Sequence, residues 1–422
     1  MSKTFDRRDF LKLGGAAAAL AATGCATTGG AKARVVVIGG GFGGATAAKY
    51  IRMWGPNIEV VLVERNADFV SCPISNLVYG GSKTMADITY GYSGLKRYGV
   101  QMVRDTAFEV NTTAKTVRLV KGGDLKYDRL IVSPGIDFMF EEIKGYAEAM
   151  IDKRVLHAWK AGPETVALQK QLAEMRDGGV YVLAMPVAPY RCPPGPYERI
   201  CQVASYFKKH KPRSKAILLD ANPDVVSKGP LFKKAWAELY KGIIEYRPNT
   251  KVIGVDGKAG VIKAEVEDVK ADVLNVVPPA RSGDIAVKAG LITHNNAWCA
   301  VNWRTMESLA VKGVHVLGDA TLSAPLMPKS GSLANQHAKV CAAAIVALIN
   351  GREPNPNPKI ANMCYSFVSD DEVIHVTSVH QLDDKNVFVP IKGAGGVSTA
   401  RNTLEGKYAW AWAQNIWADM LG

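Results

Sequence analysis

Two cysteines stand out by their surroundings. Cys192 follows Arg191 in the loop Arg191-Cys-Pro-Pro-Gly-Pro-Tyr-Glu-Arg199, where prolines stiffen the backbone around the sulfur. Cys364 lies in Asn362-Met-Cys-Tyr-Ser366, just beyond the proline-rich stretch 353–358. A neighbouring guanidinium favours the thiolate of Cys192, and Glu198, six residues further on, is a candidate proton acceptor. Two sulfurs from separate parts of a chain, meeting over a redox-active ring, suit two-electron sulfur chemistry: one takes up the substrate and the other exchanges with it. An ordinary structural disulfide and a pair of unlinked buried thiols are the plain alternatives, and the residues alone leave all three open. Of the seven cysteines none forms a CxxC pair or sits near a histidine at metal-ligand spacing, so no zinc or haem site is expected.

A ring-bearing cofactor needs elements to hold it, and the front of the chain supplies them. Arg34-Val-Val-Val-Ile38 reads as a buried strand running into Gly39-Gly-Gly41-Phe-Gly-Gly44, followed by the helix-forming stretch 45–51. In this GxGxxG pattern Gly39 allows the tight turn, Gly41 lets backbone N–H groups approach a pyrophosphate, and Gly44 lets helix and strand pack closely. The next strand, 58–63, ends in Glu64, twenty residues after Gly44, where an acid binds a ribose diol. A glycine-rich structural turn would not need strand, glycines, helix, strand and acid in register.

Two later strands each end in a small-residue turn, Leu130-Ile-Val-Ser-Pro-Gly135 and Gly313-Val-His-Val-Leu-Gly-Asp319. Both resemble accessory motifs of flavoproteins that carry two dinucleotide-binding folds, which makes FAD the expected cofactor and Gly318 and Asp319 its contacts. A helix opening after Pro328-Lys-Ser-Gly331 would turn its positive end toward the flavin. The middle of the chain has no second glycine fingerprint. After the strand 179–184 comes the proline-rich loop that presents Cys192, and proline lacks the N–H a pyrophosphate needs. Electrons are therefore expected to leave to something other than NAD.

Composition narrows the rest. With 422 residues, 48% hydrophobic and 22% charged, the chain can bury a full core and is neither disordered nor a small disulfide scaffold. Residues 1–33 carry Arg7-Arg8, a short apolar segment and the pattern of a twin-arginine export signal, implying an oxidising compartment, the periplasm. Cleavage after Ala33 is expected, with Gly24-Cys25 the weaker, lipoprotein-type site. The leader holds five basic and two acidic side chains, so the net charge of +13 falls to +10 in the remainder. The basic residues are spread thinly, with no run of five, so nucleic acid is not an expected partner; an acidic protein or anionic substrate is. No apolar run after residue 33 reaches bilayer-spanning length, and the aromatic tail 408–417 is expected to dock on the flavin domain rather than on a membrane.

Taken together these motifs resemble the flavoprotein subunit of flavocytochrome c sulfide dehydrogenase, a relative of sulfide:quinone oxidoreductase in the glutathione-reductase-like superfamily. The resemblance rests on the Arg-Arg-Asp-Phe leader, the 39–49 stretch, Ser71-Cys-Pro-Ile-Ser-Asn76, His157-Ala-Trp-Lys-Ala-Gly162, the Cys192 loop, Gly318-Asp-Ala320, Met327-Pro-Lys-Ser-Gly331, the Cys364 segment and the aromatic C-terminus. It implies an α/β fold with two Rossmann-like dinucleotide-binding domains and a C-terminal α+β interface domain. The expected boundaries are 1–33 signal peptide, 34–150 and 276–351 FAD-binding, 151–275 NAD-like without a nucleotide fingerprint, and 352–422 interface. It further implies that Cys72 is joined to the flavin 8α-methyl through sulfur and that Cys192 and Cys364 form the redox-active disulfide. Glu198 would be the acid of the cysteine loop, and Lys329 and Trp412 would lie by the flavin. Hydrosulfide would attack the disulfide and FAD would be reduced. Sulfur would leave as the element or polysulfide, and electrons would pass singly to a c-type cytochrome on another chain, since no CxxCH is present. A sulfide:quinone oxidoreductase and a non-catalytic periplasmic flavoprotein carrying persulfide are the alternatives. Cys201, Cys299, Cys341 and His315 read as core residues.

Overall fold

A computed structural model describes residues 31–422; the leader and Cys25 lie outside the described residues apart from the last residues of the leader. The apolar strand Ala33–Ile38 is an interior strand of a seven-stranded sheet. It pairs in parallel with Ile58–Val63 on one side and Arg129–Val132 on the other, Val36 standing opposite Val61 and Leu130. The sheet extends to Val100–Val103 at one edge and to Val314–Val316 at the other, where two short antiparallel strands finish it. Central strands of a parallel sheet are covered on both faces, which is why Val35, Val36 and Val37 are all fully buried. The expected strands at 130–135 and 313–319 are thus present on one side of the glycine strand, the first paired with it and the second paired with the first.

The turn after Ala33–Ile38 needs its glycines for two distinct reasons. Gly39 has φ +96°, a left-handed conformation that side-chain-bearing residues rarely adopt. A Cβ on Gly44 would lie 1.8 Å from the Gly39 carbonyl oxygen, so only glycine lets the helix Phe42–Trp54 start this close to the strand.

A second, five-stranded parallel sheet has Val180–Met185 between Val273–Val276 and Lys215–Asp220, with Val155–Leu156 and Ile244–Arg247 at its edges. The proline-rich loop leaves Val180–Met185 and enters the helix Gly195–His210. The C-terminal part is a three-stranded antiparallel sheet, Lys359–Phe367, Val373–Leu382 and Phe388–Val397, followed by the helix Thr403–Leu421. That helix docks on the first nucleotide-binding fold as expected. Trp417 is buried and donates from its indole to Ser71 Oγ at 3.0 Å. Lys49 ties down the helix end by donating to the carbonyls of Ala418, Asp419 and Gly422.

The helix Gly331–Ile349, 19 residues, is long and apolar enough by length and composition to cross a bilayer. Ser332, Asn335, Gln336, His337 and Lys339 interrupt it, so no unbroken apolar run of that length occurs in it, as expected. It is instead a core helix packed against Phe42–Trp54, with Leu333, Ala338, Cys341, Ala342 and Ile345 buried.

Candidate active site

A cavity of about 900 Å³ runs from the glycine turn to the two cysteines. Gly39, Gly41, Glu64, Cys72, Cys192, Glu198, Gly318, Asp319, Cys364 and Trp412 all line it. Gly44 lies behind its wall, as its packing role requires. Lys329 also stands outside: its ammonium donates to the carbonyls of Asp319 and Thr321 at 3.0 and 2.5 Å and sits over the Trp298 ring. Burial lowers that ammonium to about 8. Lys329 meets the site through its backbone, its carbonyl accepting from the Cys192 N–H at 2.9 Å.

At the nucleotide end Glu64 is fixed by three donors, Gly40 N at 2.7 Å, Asn66 N at 2.7 Å and Asn66 Nδ2 at 2.8 Å. A Cβ on Gly41 would meet nothing within 4 Å, so the backbone here borders open cavity of the kind a pyrophosphate needs. Further along, Asp319 is half-buried, its Oδ1 shielded from water and lacking any hydrogen-bond partner. Burial raises its carboxyl, with Arg191 and Lys329 pulling the other way. A ribityl hydroxyl would give that orphaned oxygen its donor. These features fit FAD: Glu64 would hold its ribose, the glycine turn its pyrophosphate and Asp319 its ribityl chain.

The sulfur end is built from three separate parts of the chain. Cys72 Sγ accepts from Ala161 N at 3.3 Å. Cys192 has φ +58°, left-handed for a residue with a side chain, and its carbonyl accepts from Gly195 N at 2.8 Å. A Cβ on Gly195 would lie 3.0 Å from Cys192 Sγ, so glycine there makes room for the sulfur at the start of the helix. Cys364 sits within the strand Lys359–Phe367 and faces the same cavity. All six cysteines among the described residues are free thiols, so the expected Cys192–Cys364 disulfide is not formed in this structure, which brings both residues to one cavity as separate thiols. Cys201, Cys299 and Cys341 are buried core thiols, and His315 is packed in its strand with Nδ1 2.9 Å from the Thr305 carbonyl.

The sequence suggested that Arg191 would favour the Cys192 thiolate, and here the structure differs. Burial outweighs the guanidinium and pushes the Cys192 thiol up, with the negative charges of Cys364 and Glu198 adding to it. Arg191 also borders Cys72 and Asp319, so its charge is shared between the sulfur end and the ribityl region.

Glu198 is buried, not exposed. One oxygen accepts from Phe367 N at 2.8 Å and the other from Asn76 Nδ2 at 2.7 Å, joining helix, flavin fold and C-terminal strand. Burial raises its carboxyl, opposed by those two donors and by Lys228. Three residues central to this end carried no role in the sequence reading. Asn76 bridges Glu198 to Arg199, whose guanidinium lies between the rings of Tyr79 and Trp159 and donates to the carbonyls of His157 and Ala158. Lys228 reaches the Cys364 segment from 136 residues away. The one local signal for Lys228 is the Gly229-Pro230 helix start that follows it, which says nothing about burial.

Family models agree with this architecture piece by piece. The central part of the sulfide dehydrogenase [flavocytochrome c] flavoprotein chain matches residues 165–278, and the flavocytochrome c sulphide dehydrogenase flavin-binding domain matches 356–421. A pyridine nucleotide-disulphide oxidoreductase model matches 33–169, and a twin-arginine translocation signal matches 4–24. A 37-residue stretch, 9% of this chain, is 62% identical to the sulfide dehydrogenase [flavocytochrome c] flavoprotein chain of Chlorobaculum thiosulfatiphilum and covers 77% of that sequence. The mitochondrial sulfide:quinone oxidoreductase of Mus musculus is 25% identical over 293 residues, 66% of this chain but only 63% of the mouse protein. In fold, the sulfide:quinone oxidoreductase of Aquifex aeolicus superposes with a TM-score of 0.75 at 19% identity, covering 92% of this chain and 91% of that one.

Proposed function

This chain belongs to the flavoprotein family of flavocytochrome c sulfide dehydrogenase, and from that premise we propose that it oxidises hydrosulfide through a Cys192–Cys364 disulfide and passes the electrons to a c-type cytochrome on another chain. It is an FAD-binding flavoprotein oxidoreductase carrying a twin-arginine signal that directs it to the periplasm. The observation that carries the proposal is the convergence of Cys192, Cys364 and Glu198 on the cavity that also holds the glycine turn and Asp319.

The residues divide the work. Hydrosulfide adds to the disulfide, breaking the S–S bond; one cysteine keeps the incoming sulfur as a persulfide and the other leaves as a thiolate. Conversion of HS⁻ to sulfur of zero oxidation state releases two electrons and one proton, and Glu198 takes the proton. FAD, when bound, accepts electrons in a pair and releases them singly. Cys72 is the sulfur that would carry the flavin covalently, and Trp412 walls the same cavity.

Rapid anaerobic mixing with sulfide tests the reading. We expect the flavin band at about 450 nm to bleach in the wild-type protein. Cys192→Ser should keep its FAD and show no sulfide-driven bleaching; normal bleaching in that variant refutes the disulfide route. Reduced protein should then reduce cytochrome c, whereas turnover with decylubiquinone alone would make the quinone the acceptor. For Cys72, acid denaturation followed by mass analysis should find FAD on the 72-containing peptide, and FAD released free removes the covalent link.

A further inference from the structure

Lys228 is 8% exposed and directly precedes the helix Gly229–Leu239. Its φ of +56° puts a side-chain-bearing residue in the left-handed region, so both backbone and charge are held at a cost. Its ammonium donates to the Cys364 carbonyl at 3.2 Å and to Ser366 Oγ at 2.8 Å, both on the cysteine-bearing strand. Among the described residues neither of these bonds goes to a carboxylate. Burial lowers the Lys228 ammonium, and the negative or ionisable groups whose fields oppose that are Cys364, Glu198, Cys192 and, from the C-terminal helix, Glu405. Glu405 is engaged with His375 and Ser398, and Glu198 with Asn76 and Phe367. The other cations whose fields reach the same groups are Arg191, which acts on Cys192 and borders Cys72, and Arg199, which acts on Glu198 and is held among carbonyls.

An oxidised disulfide is neutral, whereas hydrosulfide brings one negative charge into the buried site and leaves it there as a thiolate. Resting on the sulfide-oxidising reading above, we propose that Lys228 is the fixed countercharge for that sulfur anion, a positioning residue that acts on Cys364 through its charge and sets the site's preference for anionic sulfur species. The Cys364 carbonyl and Ser366 hydroxyl anchor the ammonium beside the strand without neutralising it. Burial pushes the Cys364 thiol up and Lys228 is the group that opposes it, in keeping with this role.

The test uses dithiothreitol-reduced holoprotein and no sulfide, so its outcome is read separately from that of sulfide oxidation. Labelling of Cys364 by neutral iodoacetamide is followed against pH by peptide mass. Lys228→Gln retains a donor for Ser366 but not the charge; its labelling profile should move about one pH unit alkaline, roughly tenfold slower at pH 8. Lys228→Arg should restore the wild-type profile, and Ser366→Ala, which removes a hydrogen bond but no charge, should leave it in place. An unmoved profile in Lys228→Gln, or Ser366→Ala matching Lys228→Gln, overturns the proposal. Should Lys228→Gln not fold, the wild-type protein alone decides: anionic iodoacetate must gain on iodoacetamide at Cys364 relative to the ratio for glutathione, and an equal ratio overturns the proposal.

Discussion

Glu198 shows how far a side chain's role depends on its surroundings. Removed from water, its carboxyl titrates above the ordinary carboxylate range, and the basic form grows as pH rises through that raised value. Sulfide-driven flavin reduction should therefore gain a limb that climbs with pH, separate from the ionisation of hydrosulfide itself. Glu198→Gln should lower the rate by about 10²-fold and lose this limb while the hydrosulfide limb stays. Stopped-flow rates between pH 5 and 8 measure both; a limb that survives in the variant removes Glu198 as the base. The substitution also turns an amide N–H toward a donor, either Asn76 or the Phe367 N–H, so a loss of about 1–3 kcal/mol in stability should accompany it. The sequence identified Glu198 by its spacing from Cys192, but not its burial. Burial comes from Asn76 and Phe367, 122 and 169 residues away, and no local pattern encodes that contact. The same distance hid Lys228, whereas Glu64 was legible because its partner glycines lie within one strand–helix–strand unit.

At the scale of elements, legibility followed locality again. The parallel strands and the glycine turn announced themselves through unbroken apolar runs and a fixed spacing, and the alanine-rich part of the helix Gly331–Ile349 was legible as core through Cys341, whereas the burial of its polar residue His337 was not. That helix buries His337 at 3% exposure with both ring nitrogens unpartnered, its ring 5.5 Å from that of Trp303. Burial, aided by Lys329 and His380, lowers the imidazole to about 3. The unfolded chain takes up a proton near pH 6.5 that the folded helix refuses, so the native state loses stability as pH falls from there toward 3. The loss is about 1.4 kcal/mol per pH unit, or about 2 kcal/mol between pH 6.5 and 5. His337→Leu removes the titrating group and should lose about 2 kcal/mol less than wild type between pH 7 and 5. Urea midpoints at the two pH values check this, and an equal loss in both proteins would place the acid sensitivity elsewhere.

Across the whole molecule the two nucleotide-type sheets have diverged at equivalent places. In the first, Glu64 follows the strand beside the glycine strand and borders the cavity. In the second, Asp220 ends the strand beside Val180–Met185, but it is fully buried and taken up by protein. Tyr197 and Tyr246 hydroxyls donate to one of its oxygens at 2.8 and 3.2 Å, and the backbone and side chain of Asn222 to the other at 3.0 and 2.7 Å. Tyr197 comes from the first turn of Gly195–His210, the helix whose N-terminus would face a pyrophosphate in a working nucleotide fold. That N-terminus now follows Cys192 and carries Glu198, so the positive end of the helix serves sulfur and a carboxylate instead of phosphate. The missing fingerprint in the sequence thus has a filled site as its counterpart in space, because the tyrosines occupy the hydrogen-bonding capacity a ribose would use. NADH at millimolar concentration should leave the flavin band unchanged over minutes while sulfide bleaches it. Flavin reduction by NADH at a rate comparable to that with sulfide would mean that the second fold still receives a nucleotide, by a route that does not pass through Asp220.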